Sequence, residues 1–137
     1  MSQFDHSHLA IMEEGILLFN AQKYWECHEE FEHHWLEEPG PLRNVYWAVI
    51  QVAAAMIHYR EGNLTGARGL IYKAKQKFDR CEQNHIESDL LYSELSWKEL
   101  KQMVRAVPAE PVISDFKNLF EFRFKDPSLW KWKLEKS

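Results

Sequence analysis

The segment Leu42–Arg60, LRNVYWAVIQVAAAMIHYR, is apolar on almost every side of a helix and lies between two sets of breakers. Pro39-Gly40-Pro41 stands before it and Glu61-Gly62-Asn63 after it. A helix hydrophobic all round has to be surrounded by other elements, so this segment is expected at the centre of the fold. The apolar run Val45–Ile57 is interrupted by Gln51 and is too short to span a bilayer. Gly62 suits the position just past a helix end, and Asn63 suits the N-cap of the next helix.

The rest of the chain supplies the surrounding helices. Leu9, Met12, Ile16 and Phe19 recur at helical spacing, with Glu13 and Glu14 outside the stripe, which predicts a first helix over Leu9–Asn20. Gln22–Glu38 forms the second helix and Leu42–Arg60 the third. The fourth, Leu64–Arg80, carries Ala67, Leu70, Ile71, Ala74 and Phe78 in one sector. Gly66 and Gly69 weaken that helix by about 1 kcal/mol each relative to alanine, and they predict close approach of another backbone. Ser96-Trp97-Lys98-Glu99 reads as a capping box, with Leu95 and Leu100 at the staple positions. That helix ends before Pro108, and Ser114–Phe120 fits one last short helix.

Nothing in the first 110 residues alternates with a period of two. Phe120, Phe122 and Phe124 do alternate with charged residues, but a lone strand has no partner. The expectation is an extended tail lying across the helices, anchored by those phenylalanines and by Trp130 and Trp132. The predicted fold is therefore all-α: one compact bundle of five to six helices over residues 1–137, with helix-hairpin, tetratricopeptide-like packing and an extended aromatic C-terminal tail. The Phe19-Asn20 and Gly62-Asn63 junctions suit such hairpins, although no third copy extends them into a solenoid. Aromatic side chains are abundant for so small a bundle, with six tryptophans. A homodimer formed through the tail would bury them, and so would a tail folded back on its own helices.

A formal net charge of −4 argues against a nucleic-acid partner, whose phosphates call for a basic surface. Lys73, Lys75, Lys77 and Arg80 form a local basic cluster and read best as the solvated side of the fourth helix. Cys27 and Cys81 have neither zinc-knuckle nor redox-pair spacing. Two reduced thiols and a polar start without a leader pattern predict a cytoplasmic protein with no membrane attachment.

Chemistry concentrates in Phe19–Trp35, FNAQKYWECHEEFEHHW. Tyr24, Cys27, His28, Phe31, Glu32 and Trp35 share one helical face at about 100° per residue. His28 and Glu32, one turn apart, therefore lie beside a core-facing stripe, where an unpartnered polar group costs several kcal/mol. On the third helix Asn44, Gln51 and His58 recur every seven residues, close to one line. If the two helices pack as a hairpin, these polar seams meet, and Arg68 of the fourth helix is placed to offset Glu32. One reading is a divalent metal such as zinc held by His28, Glu32 and His58, with Glu29 as general base for a metal-activated water. The pattern His28-Glu29-x-x-Glu32 lacks the second histidine of the zinc-protease HExxH motif. The preferred reading is a structural polar network of His28, Glu32, Gln51, His58 and Arg68 that fixes helix register. Cys27 is expected to be an inert buried thiol.

These residues also resemble a known family. Phe19-Asn20-x-x-x-Tyr24-x-x-x-His28-Glu29-x-x-Glu32-x-x-Trp35, followed by Gln51-x-Ala53-x-Ala55-x-x-His58-x-x-x-Gly62-Asn63-x-x-Gly66-Ala67, is similar to the DUF309 family over residues 15–80. That family comprises small, uncharacterised, all-helical proteins. The resemblance implies the label "predicted metal-dependent hydrolase", with His28, Glu29, Glu32 and His58 as candidate site residues and no substrate attached. Residues 82–137 lie beyond the resemblance. Two functions stand side by side: a metal-dependent hydrolase, and a non-catalytic helical module binding a peptide or small ligand between hairpins, with Tyr24, Trp35, Gln51 and Arg68 lining the groove.

Overall fold

The computed structural model describes residues 4–136, and among them the regular elements are all helical. In chain order they are α1 (His6–Asn20), α2 (Tyr24–Glu37), α3 (Arg43–Arg60), α4 (Leu64–Gln83), α5 (Asp89–Leu95), α6 (Trp97–Ala106), α7 (Lys117–Glu121) and α8 (Lys131–Lys136). Single 3-10 turns at Ile113–Phe116 and Pro127–Leu129 precede α7 and α8. The eight α-helices exceed the expected five to six because the C-terminal third is more helical than its sequence suggested.

Helices α1 to α4 follow one another as antiparallel neighbours, and α3 packs against both α2 and α4. Val45, Ala48, Val49, Val52, Ala53, Ala55 and Met56 of α3 are wholly buried, which matches the central place expected for an all-apolar helix. Asp5 starts α1: its carboxylate accepts the Ser7 and His8 amides, and His8 Nδ1 accepts the Asp5 amide in return. The α3–α4 junction forms as its sequence predicts. Gly62 takes φ 74°, and Asn63 Oδ1 accepts the Gly66 amide at 2.9 Å.

The glycines depart from expectation. Gly15 is the one that brings two helices close, because a Cβ there would lie 2.5 Å from the ring of Phe31 on α2. On α4 no second backbone presses against Gly66 or Gly69. A Cβ on Gly66 would sit 2.6 Å from Nδ1 of His58, whereas one on Gly69 would meet nothing within 4 Å. Gly69→Ala should therefore stabilise the fold by about 0.5–1 kcal/mol through helix propensity alone. Gly66→Ala should lower stability despite the same propensity gain, since the His58 ring is pinned by Asn63. Urea unfolding of the two variants checks this opposition of sign.

Ser96 differs from its predicted role as well. It is the last residue of one helical path and the first of the next, ending α5 and opening α6 in the left-handed region at φ 52°, and its side chain caps nothing. The capping box does not form because α5, unannounced in the sequence, ends on the same residue. Trp97 instead anchors α6 on α4, with its ring 4.7 Å from Phe78.

The C-terminal segment folds back on its own chain. Phe122 and Phe124 lie in an extended stretch and are buried against Phe19, while Trp130 is fully buried with its Nε1 donating to the Glu94 carbonyl at 2.9 Å. Asn20 holds the stretch with a reciprocal pair of hydrogen bonds to the Phe124 backbone, 3.0 and 2.8 Å. Glu94 is itself buried and accepts from Lys125 Nζ and the Lys131 amide, and Lys133 pairs with Glu13 of α1. Of the tail aromatics that suggested a dimer, Phe122, Phe124 and Trp130 are thus buried within the chain, and Phe120 and Trp132 are half-buried against it. The tail is extended only around Phe122–Asp126 and helical after it.

Candidate functional site

An antiparallel α2–α3 pair sets two matching ridges against each other. His28, Glu32 and Trp35 lie at i, i+4 and i+7 on α2, and Trp47, Ile50 and Gln51 occupy adjoining turns of α3. Residues at that spacing share one helix face. The six side chains line a cleft of about 250 Å³. His28, Glu32, Trp35 and Gln51 are sequence candidates that meet here. Trp47 and Ile50 were missed, although they stand four and one residues before Gln51 on a helix already read as central.

His28 Nε2 lies 3.2 Å from Glu32 Oε2. Trp25, itself largely exposed, stacks on the His28 ring with centroids 5.5 Å apart. Glu32 is 48% exposed, so its charge is solvated and needs no buried counter-ion. At the other end of the cleft the Trp35 and Trp47 rings lie 5.1 Å apart. The Arg43 guanidinium covers Trp35 at 4.4 Å and Lys77 Nζ covers Trp47 at 3.8 Å. Such cation–aromatic contacts fix ring orientation as well as adding stability. Three buried polar atoms of the lining residues have no hydrogen-bond partner among the described residues: His28 Nδ1, Trp35 Nε1 and Gln51 Oε1.

His58, Arg68 and Tyr24 lie elsewhere. His58 sits at the α3–α4 turn, where Asn63 Nδ2 donates to its Nδ1 at 3.0 Å and Gly66 packs against its ring. It comes seven residues, or about 10 Å of helix, after Gln51. His28 and Glu32 supply two donors, and among the described residues no group of three or more His, Cys, Asp or Glu side chains is arranged to hold a metal ion. The residues present do not fit the three-ligand catalytic centre that the metal reading requires. Glu29 is exposed and lines, together with His28 and Glu32, a shallow surface depression along α2 that Trp25, His33 and Leu36 complete. Arg68 is exposed on α4, lines a different cavity and does not pair with Glu32. Tyr24 is buried at the α1–α2 turn, where its hydroxyl donates to the Phe120 carbonyl at 3.3 Å and Arg60 covers its ring.

Two further expectations change. Lys77 is buried rather than solvated, and its pKa is held below the usual lysine value by that burial and by neighbouring Arg80 and Lys73. Lys75 donates to the Val107 carbonyl. The basic cluster is therefore half structural. Cys27 and Cys81 are buried free thiols, and burial pushes both pKa values up, so neither offers a thiolate near neutrality.

Residues 12–70 match the model of the family described as "Domain of unknown function (DUF309)". The chain is also similar to the uncharacterized protein YpuF of Bacillus subtilis (strain 168), with 45% identity over 55 residues, 39% of this chain and 32% of that protein. The chain thus spans about a third of the length of the curated relative it matches. No solved structure matches it. No helix among the described residues is long and apolar enough to cross a membrane.

Proposed function

Taking residues 12–70 as a DUF309 segment, we propose that the chain is a non-catalytic helical module that takes a small polar ligand in the α2–α3 cleft. The observation that carries this reading is the trio of unpartnered buried atoms on residues lining one cleft. Buried polar groups in native proteins are almost always hydrogen-bonded, and each one left unsatisfied costs about 1–3 kcal/mol. The trio offers the Trp35 indole N–H as a donor, Gln51 Oε1 as an acceptor, and His28 Nδ1, a ring nitrogen that serves in either role. A primary amide or a polyol presents the complementary set. Entry displaces the side chains that cover these atoms, Trp25 on His28 being the exposed one.

The metal-dependent hydrolase reading would need a third ligand beside His28 and Glu32. Glu29 does share a depression with His28 and Glu32, but His58 stays at the α3–α4 turn and no third ligand joins them among the described residues, so the binding reading is preferred. The whole of residues 1–137 is taken as one helical domain. The two buried thiols favour a reducing, cytoplasmic location.

Titration with acetamide and glycerol, followed by the indole N–H resonance of Trp35, tests the proposal. A saturable shift is expected in the wild type, weakened by Gln51→Leu by roughly tenfold, the effect of losing one buried hydrogen bond. A Trp35 resonance that stays still, or that responds identically in Gln51→Leu, would rule out the cleft. Stoichiometric zinc in protein purified without a tag or chelator, lost in His28→Ala, would restore the hydrolase reading instead.

A further inference from the structure

A larger cavity, about 580 Å³, lies between α4 and the connection that follows α6. Arg68, Gly69, Tyr72 and Lys75 supply one wall, and Val107 and Pro111 belong to the other. None of the sequence motifs or the α2–α3 cleft accounts for it. Its volume is in the range of small-molecule sites. Its lining is apolar apart from a few groups, and Tyr72 is 64% exposed beside it, an unusual place for a large aromatic ring on an otherwise amphipathic helix. The gap reaches down to the α4 backbone at Gly69, where a side chain would meet nothing.

The charges at this cavity are of one sign. Arg68 and Lys75 line it, and no carboxylate does. Lys75 is committed to the Val107 carbonyl. The Arg68 side chain makes no hydrogen bond or ion pair among the described residues, whereas Arg105 of α6 is engaged by Asp79 and Glu82. An unengaged guanidinium at the edge of an apolar cavity complements a single carboxylate, which it can hold through two parallel N–H···O bonds. The two walls offer few polar groups, and Pro108 and Pro111 have no backbone N–H to give. An extended peptide would therefore bring amides that the cavity leaves unpaired. We propose that this cavity binds a small amphipathic carboxylate, with its apolar body over Gly69 and Tyr72 and its acid group on Arg68.

The proposal is tested on the full chain by calorimetric titration with sodium octanoate and, in parallel, with octan-1-ol, which has the same chain length and no charge. Octanoate should bind about tenfold more tightly than octanol, the advantage expected of a charge-assisted hydrogen-bonded pair. Arg68→Gln, an exposed change that leaves the packing alone, should remove that advantage and leave octanol binding as it was. Gly69→Leu should abolish binding of both, because it fills the cavity, and helical circular dichroism and the melting temperature report that the fold is retained. Gly69→Ala, with its smaller side chain, serves as the second variant if leucine perturbs α4, and should weaken both ligands. Absence of octanoate binding would overturn the proposal. So would equal affinities for octanoate and octanol, or octanoate binding unchanged in the Gly69 variants.

Discussion

Lys101→Met is expected to lower the unfolding free energy by about 3 kcal/mol, the loss typical of breaking a buried ion pair by removing one partner. Lys101 of α6 is buried, and its ammonium donates to Glu82 at 2.9 Å, to Glu87 at 3.0 Å and to the Tyr92 hydroxyl at 3.2 Å. Glu87 is only 11% exposed at its side chain and also accepts from Trp97 Nε1 and Tyr92. Methionine fills the volume and leaves that carboxylate without a cation. At this chain length the loss corresponds to roughly 10 °C in melting temperature. Loss of less than about 1 kcal/mol in urea unfolding would mean that the network contributes no more than a surface pair.

The same network has a defined pH dependence. Burial alone would lower the Lys101 pKa, but hydrogen bonds with Glu82, Tyr92 and Glu87 outweigh it and raise it above the usual lysine value. Its contribution is therefore complete below the ordinary lysine pKa and is lost as pH rises through the raised one. The hydrogen bond from Lys101 is the largest cause of the lowered Glu82 pKa; burial opposes it and Arg105 adds to it. That contribution is present above the ordinary carboxylate range and disappears as pH falls through the lowered value. The gap between wild type and Lys101→Met should thus be widest near neutrality and narrow as pH falls through the lowered Glu82 value. A gap independent of pH would contradict this account.

Phe19→Ala should cost about 3–5 kcal/mol, the range for a fully buried phenylalanine. Its ring meets Phe124 edge-on at 4.8 Å, Tyr24 at 5.2 Å and Phe122 at 6.2 Å. The loss should be accompanied by faster hydrogen exchange at the Phe124 amide, which Asn20 Oδ1 holds at 2.8 Å. Asn20→Ala should act on the same unit, so the two substitutions together should cost less or more than their sum rather than simply adding. An unchanged Phe124 exchange rate in Phe19→Ala would separate the tail from the α1–α2 junction and refute the linkage. The Phe19-Asn20 pair thus serves the C-terminal tail as much as the turn beside it.

The cleft and the α4 cavity ask different things of the chain. The first gathers unpartnered hydrogen-bonding atoms on α2 and α3, and the second joins an apolar wall to an unengaged cation on α4. They share no lining residue, so substitutions in one leave the other as a control.

The four long helices were legible because each carries its own evidence: the all-apolar α3, the stripes of α1 and α4, and the Gly62-Asn63 junction are short-range signals that need no partner to be read. The His28–Glu32 contact was legible for the same reason, being an i, i+4 pair on one helix. What two helices do to each other was less so. Gln51 and His58 share a line on α3, yet Gln51 opens into the α2–α3 cleft and His58 is turned to Asn63 and Gly66 on α4, because α3 is packed on both sides. Arg68 stands on the wrong side of α4 to reach Glu32. Likewise α5 gave no periodic signal strong enough to see, and its end at Ser96 took away the cap that local sequence favoured there. Periodicity determines which face of a helix avoids water, and this chain's sequence determined that for its main helices. Which neighbour each face meets depends on helix crossing and on contacts more than 90 residues apart, such as Asn20 with Phe124; only the tertiary structure decided those, and with them the two cavities.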